Sequence, residues 1–344
     1  MRRFRILARR IAYQSGALGF ERANRPDALT VVMFHRVIDR ADPDFERADP
    51  EYTVEPDLFD ELLGFFRDQY SVVGLADVMA AADRRRPLPR HPLLITFDDG
   101  WADNLRYAAP LLSRRRLPAV IFVVAEALLS PANSWWQEQV FAAARGQMMI
   151  EDRRAGANGN QPDDRLELIC RLAEMGGSEQ SKFIESIAAP PRLSRMMLAP
   201  ADLAKLATAG IAIGNHGYTH LPLTRVRDIG AEICEAIAAI AALTDDKASA
   251  SSLSCPHGRY DASVIRAAQA AGVQLIFTSD PILNPLSHGF VAADRPLGRI
   301  GISTTPLVDR SGRLDQSAAA TWLWRRPVAP SEHAAGIKLP RRAV

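Results

Sequence analysis

Leu94-Ile95-Thr96-Phe97-Asp98-Asp99-Gly100 is the stretch that decides the fold. Its apolar part, Leu93 to Phe97, is short and continuous, which suits a strand buried on both faces; a polar cluster then ends it abruptly. Two segments of the same kind flank it, Leu29 to Phe34 (LTVVMF) and Ala119 to Val124. Between them Leu58, Phe59, Leu62, Leu63 and Phe66 recur at helical spacing after Asp57, an N-cap residue type, and Asn104 to Arg116 also reads as helix. The stretch 37–56 is polar and acidic and reads as a loop. Buried strands alternating with helices predict a parallel α/β architecture.

The pattern breaks at Pro131 and resumes after about Pro200, with helix 202–208, strand 211–213, helix 228–243, strand 252–255, helix 262–271, strand 274–278 and a last strand near 299–302. Residues 131–195 are therefore predicted to be an insertion on one domain; they carry Trp135-Trp136 and a Gly/Asn/Asp-rich run. The reading divides the chain into a basic arm (1–27), a barrel (28–304) and a C-terminal extension and tail (305–344).

The 344 residues are 47% hydrophobic and 24% charged, an ordinary globular composition. Lys and Arg number 42 against 40 Asp and Glu, so no large basic surface is left for nucleic acid. Three cysteines without CxxC spacing exclude a four-thiolate zinc site. No apolar run approaches the roughly 18 residues of a membrane span. The start, MRRFRILARRIAYQSGALGF, is basic but lacks the continuous apolar stretch of about 7–15 residues of a signal peptide. The expected compartment is the cytoplasm; the start reads as a solvated helical arm, with peripheral contact to the inner membrane as the alternative.

Three polar clusters follow short apolar strands: Asp98-Asp99-Gly100, His216-Gly217-Tyr218-Thr219-His220 and Pro256-His257-Gly258. In a (β/α) barrel the C-terminal strand ends face the active site, so the clusters can converge. His216 and His220 at i, i+4 would share one face of a helical turn and could chelate one metal. Gly217 stands where HExxH proteases carry their glutamate base, which excludes that class. Adjacent carboxylates repel and call for a cation or strong donor. Two imidazoles and one carboxylate form an open set for hydrolytic zinc.

LITFDDG (94–100) and IGNHGYTH (213–220) resemble the first two motifs of the polysaccharide deacetylases, carbohydrate esterase family four, the group that includes nodulation-type chitooligosaccharide deacetylases. MFHRV (33–37) is similar to the family's first strand, LPAVIFV (117–123) to its third, and CPHG (255–258) to its Pro-Tyr-Gly turn. The resemblance implies a distorted, TIM-like (β/α)7 barrel with one long insertion. It assigns Asp98 as general base and Asp99, His216 and His220 as ligands of a divalent metal, zinc by default, with cobalt, nickel or manganese as alternatives. It implies an acetylated oligo- or polysaccharide as substrate, a chitooligosaccharide or an exopolysaccharide, and leaves O-acetyl esters open. A catalytically silent glycan-binding barrel is the rival reading.

Ser254 replaces the arginine that many members carry before the turn, and no Leu-x-His-Asp motif follows Arg299. Arg299, from another strand, is expected to replace the arginine and His257 the missing acid, with His288 second. A backbone N–H of the turn Pro256–Gly258 would face the oxyanion. Trp101 is expected to stack on a sugar, and Trp135 and Trp136 to form a platform or lid. His35 could line the pocket, while His91 lies at the wrong end of its strand.

Overall fold

The computed structural model describes residues 2–25, 27–45, 48, 50–130, 182, 196–292 and 295–329. The chain starts with α1 (Arg2–Gln14) and α2 (Ala17–Ala23), then enters β1 (Ala28–Phe34), β2 (Arg36–Val37) and β3 (Thr53–Val54). Next come α3 (Pro56–Gln69), β4 (Ser71–Val72), α4 (Leu75–Ala82) and β5 (Pro92–Phe97). A π-helical turn, Asn104–Ala108, leads into α5 (Ala109–Arg115), followed by β6 (Ala119–Val123) and α6 (Ala125–Leu129). Beyond residue 195 lie α7 (Leu203–Thr208), β7 (Ile211–Asn215), α8 (Ile229–Thr244), α9 (Lys247–Ala250) and β8 (Ser252–Ser254). The series ends with α10 (Ala262–Ala270), β9 (Leu275–Phe277), β10 (Asn284–Pro285), β11 (Ile300–Gly301) and α11 (Gln316–Trp324).

β1, β5, β6, β7, β8 and β9 lie side by side in that order, all parallel. Segment 297–301 bridges the seam: Leu297 pairs with Phe277 of β9, and Ile300–Gly301 pair with Val32–Met33 of β1, both in parallel. Seven parallel strand segments thus form the curled sheet of a distorted (β/α)7 barrel, broken where the chain passes Arg299. β5 is buried at every residue, as its unbroken apolar run requires. Strand alternation sends Leu93, Ile95 and Phe97 toward the helices and Leu94, Thr96 and Asp98 inward. Leu93, Ile95 and Phe97 belong to the helix-packed core, Leu94 to an inner cluster with Val120, Phe122 and Phe277. α4 joins the inner cluster through Leu75, Val78 and Met79, and stoppers the barrel end opposite Asp98.

Several details differ from the sequence reading. α3 starts at Pro56 with Glu55 as N-cap, because proline's fixed φ suits the first helical position. The 37–56 loop contains the small parallel pair β2–β3. The arm is docked rather than solvated on all sides: Arg9 and Arg10 both pair with Asp315 (2.9 and 3.2 Å), and Leu18 is buried in the main core. Within the segment read as an extension, Ala319, Ala320, Leu323 and Trp324 of α11 join that core. No helix among the described residues is long and apolar enough to cross a membrane.

Candidate active site

β5, β7, β8 and the segment after β9 deliver the functional side chains to one end of the barrel. Asp98 follows β5 with inward parity and is buried. Arg299, also fully buried, meets it head on: Nη1 donates to Asp98 Oδ1 and Nη2 to Oδ2, both at 2.7 Å. The other guanidinium donors reach Thr278 O (2.9 Å), Thr96 Oγ1 (3.3 Å) and Ser254 Oγ (2.8 Å), so all five N–H groups are used. Ser254 Oγ in turn donates to Asp98 Oδ1 (3.2 Å). Burial pushes the Asp98 carboxyl up, but Arg299 and then His216 outweigh it and hold it below the ordinary carboxylate range.

Asp99 is placed differently. Its φ of 74° turns the side chain away from its neighbour, and Gly100 follows at φ 88°. Asp99 Oδ1 lies 3.4 Å from His216 Nε2 and 3.3 Å from His220 Nε2. The three ligand atoms fall within 4.8 Å of one another. His216 Nδ1–H donates to Ser254 O (2.8 Å), which fixes the ring with Nε2 toward Asp99. One carboxylate oxygen and two imidazole nitrogens, oriented to a single point, fit a divalent ion such as zinc. Burial raises the Asp99 carboxyl, yet the two histidines hold it far below its usual value. Burial lowers His216, but Asp98 and Asp99 overcompensate and raise it. Burial, then His257, holds His220 well down.

The histidines do not sit on a helical turn. β7 ends at Asn215, and the following chain carries positive φ at Gly217 (78°) and His220 (66°). Two side chains hold this loop: Asn215 Oδ1 accepts from Gly217 N (2.7 Å), and Glu232 Oε1 accepts from Tyr218 N (2.9 Å), Thr219 N (2.7 Å) and Thr219 Oγ1 (2.9 Å). Glu232 escaped the sequence reading because it lies in the next helix, where a carboxylate reads as solvated. A Cβ at Gly214 would collide with the Phe122 ring, so the strand beneath His216 requires glycine.

Of the other expected residues, His257 is at the site with φ 56°, its ring 4.4 Å from that of His220. His257 Nε2–H donates to His220 O (3.1 Å), and burial followed by His216 pushes its pKa down to about 4. Pro256 and Gly258 form the same turn, with Gly258 N donating to Cys255 O (3.0 Å). Trp101 donates its indole N–H to Asp99 Oδ2 (2.8 Å), and the Arg36 guanidinium covers its ring at 4.3 Å. No local sequence pattern announces that contact with the histidine-facing carboxylate. Arg36 is itself tied to Asp103 (2.7 Å). His35 directly follows β1, with its ring 4.6 Å from that of Tyr52. His91 precedes β5, at the opposite end, and His288 is on an exposed loop. Trp135 and Trp136 lie outside the described residues.

The family model described as polysaccharide deacetylase matches residues 85–276. No curated protein matches the chain. Among solved structures, the chain is similar to the Streptococcus pyogenes deacetylase PplD in complex with acetate, at 17% identity and a TM-score of 0.54, covering 82% of this chain and 95% of that one. It is also similar to a de-N-acetylase from Aggregatibacter actinomycetemcomitans (17%, TM-score 0.54, 83% and 98%). A third is IcaB from Ammonifex degensii (16%, TM-score 0.54, 87% and 98%). At these identities the likeness is one of fold.

Proposed function

The chain belongs to the polysaccharide deacetylase family, and from that premise we propose that it removes acetyl groups from N-acetylhexosamine units of an oligo- or polysaccharide. Carbohydrate deacetylation is the activity of the family; the amide bond, the sugar and the metal are our reading. The observation that carries it is the division between two adjacent carboxylates, one buried and locked to Arg299 and one partly exposed and facing two histidine nitrogens. The structural likeness to a deacetylase bound to acetate and to a de-N-acetylase supports the amide.

Asp99, His216 and His220 would hold the divalent ion, with zinc as the default and cobalt, nickel or manganese as alternatives. When bound there, such an ion supplies Lewis acidity that polarises a carbonyl and eases deprotonation of water. Asp98 is the base. Its Oδ1 already accepts from Arg299 and Ser254, whereas Oδ2 accepts from Arg299 alone and lies 4.0 Å from His216 Nε2. Oδ2 therefore has the free lone pair on the ligand side and takes the proton of the attacking water. A carboxylic acid held at low pKa gives that proton up readily, so Asp98 can return it to the leaving amine nitrogen.

In this reading His257 supports the site rather than acting as its acid, because its Nε2–H is engaged and its ring is kept neutral. Pro256 has no N–H, and that of Gly258 is engaged, so the His257 N–H is the turn's donor for the oxyanion. The test is metal content together with acetate release across N-acetylated chitooligosaccharides and acetylated exopolysaccharide, with Asp98→Asn as control. Acetate from the N-acetylated glycans, absent in the control, supports the reading. Release from O-acetyl esters alone would overturn the amide assignment.

A further inference from the structure

Among the described residues seven large apolar side chains are exposed, and five of them, Phe4, Ile6, Leu7, Ile11 and Phe20, lie between residues 4 and 20. Phe4 (76% exposed), Leu7 (57%) and Ile11 (55%) recur at i, i+3 and i+7, a single stripe along α1, and α2 adds Phe20 (74%). Other side chains of the arm fasten it to the body. Arg9 and Arg10 pair with Asp315, the Tyr13 hydroxyl donates to Gln316 (3.0 Å), and Arg25 donates to the carbonyls of Trp324 and Arg326. The stripe is thus held outward on a fixed helix.

The charge around it is one-sided. Residues 1–25 contain seven arginines and one acid, Glu21, a net of +6 in a chain of net +2, so the remainder is net −4. α1 itself, RRFRILARRIAYQ, contains no acid. Arg5 is exposed and has no acidic partner among the described residues. A second copy placed on this face would set like charge against like charge, which disfavours self-association.

We propose that the outer face of α1, with Phe20, docks on an anionic lipid bilayer. Phe4, Leu7 and Ile11 sink to the boundary between headgroups and acyl chains, and Arg5 reaches the headgroup phosphates within the positive field of the arm. The face brings together a bulky apolar stripe and an unbalanced positive charge, the pair of features that such an interface rewards. This proposal does not rest on the deacetylase reading, and its test needs no activity.

The full chain is floated with phosphatidylcholine vesicles containing about one-third phosphatidylglycerol, and with pure phosphatidylcholine. The wild type is expected to float with the anionic vesicles and to be released at about 1 M NaCl, where the Debye length is about 3 Å. A Leu7→Asp, Ile11→Asp double variant is expected to lose at least about tenfold in bound fraction while keeping the wild-type melting temperature, since both side chains are exposed. Arg5→Glu, which leaves the stripe intact, should weaken binding more mildly. Wild type that stays with the protein fraction, or a double variant that floats equally, overturns the proposal. So does a concentration-dependent dimer in analytical ultracentrifugation that the double variant abolishes.

Discussion

Asp98 and Asp99 are neighbours in the chain, the first buried and the second partly exposed, and they occupy two different electrostatic regions. The Asp98 region is saturated: a bidentate guanidinium, with all five donors placed, and a serine hydroxyl bridging the pair. The Asp99 region is convergent instead, with one indole N–H behind the carboxylate and two imidazole nitrogens in front of it. Ser254 touches both, its hydroxyl in the first and its carbonyl, through His216, in the second. A paired charge can stay buried because its counter-charge is built in; a convergent set is completed from outside. One backbone reversal at Asp99, φ 74°, separates the two.

The comparison breaks first at the metal. Chelation is expected to take acetate release to background, and readdition of a zinc, cobalt, nickel or manganese ion to restore it, whereas Asp99→Ala should show neither activity nor bound metal. Asp98→Asn should cost about 10²–10⁴ in kcat while metal content stays at the wild-type level; loss of metal there would show that the two regions are one.

Arg299→Met addresses the paired region alone. It leaves a buried carboxylate without its counter-charge and should destabilise the protein by about 3–5 kcal/mol in chemical denaturation. The same variant should change the pH profile. In the wild type Asp98 is held below its unfolded value of about 4, so the pair's stabilisation is present above that pH and fades as pH falls through the lower folded value. Without Arg299, burial dominates and raises Asp98, so the acid limb of kcat/KM should move toward neutral. An unmoved limb would assign Arg299 a purely structural role. The smallest effect is expected for Trp101→Phe, which removes the N–H behind Asp99: about 10–100-fold weaker metal binding with the fold unchanged.

Much of this was legible in the sequence because the barrel strands are nearly uniform apolar runs that end in polar clusters. Leu93–Phe97 and Ala119–Val123 announce themselves, and Asp98 and Asp99 sit just past the end of the first. β4 and α4 were not read, since Ser71–Val72 is too short to show a period and α4 is buried on too many sides to show a stripe. The HxxxH spacing picked out the two histidines that face Asp99 but suggested the wrong backbone, because i, i+4 spacing is also compatible with a loop that uses a glycine at Gly217 and a left-handed histidine at His220. Glu232 and the Trp101 contact are invisible for another reason: each depends on tertiary proximity that no local pattern encodes. Ser254 read as a loss, although a small hydroxyl is what lets a guanidinium from another strand occupy the space beside Asp98.

Arg299 lies on the segment that bridges β9 to β1, beyond residue 276, where the family match ends. A chain that reached only that point would already contain Asp98, Asp99, His216 and His220, but Asp98 would lack the counter-charge of Arg299. Sealing the seam and pairing Asp98 therefore depend on one and the same segment. A barrel without this segment leaves Asp98 unpaired, and the guanidinium that serves it comes from a strand other than the one that ends in the Pro256–Gly258 turn.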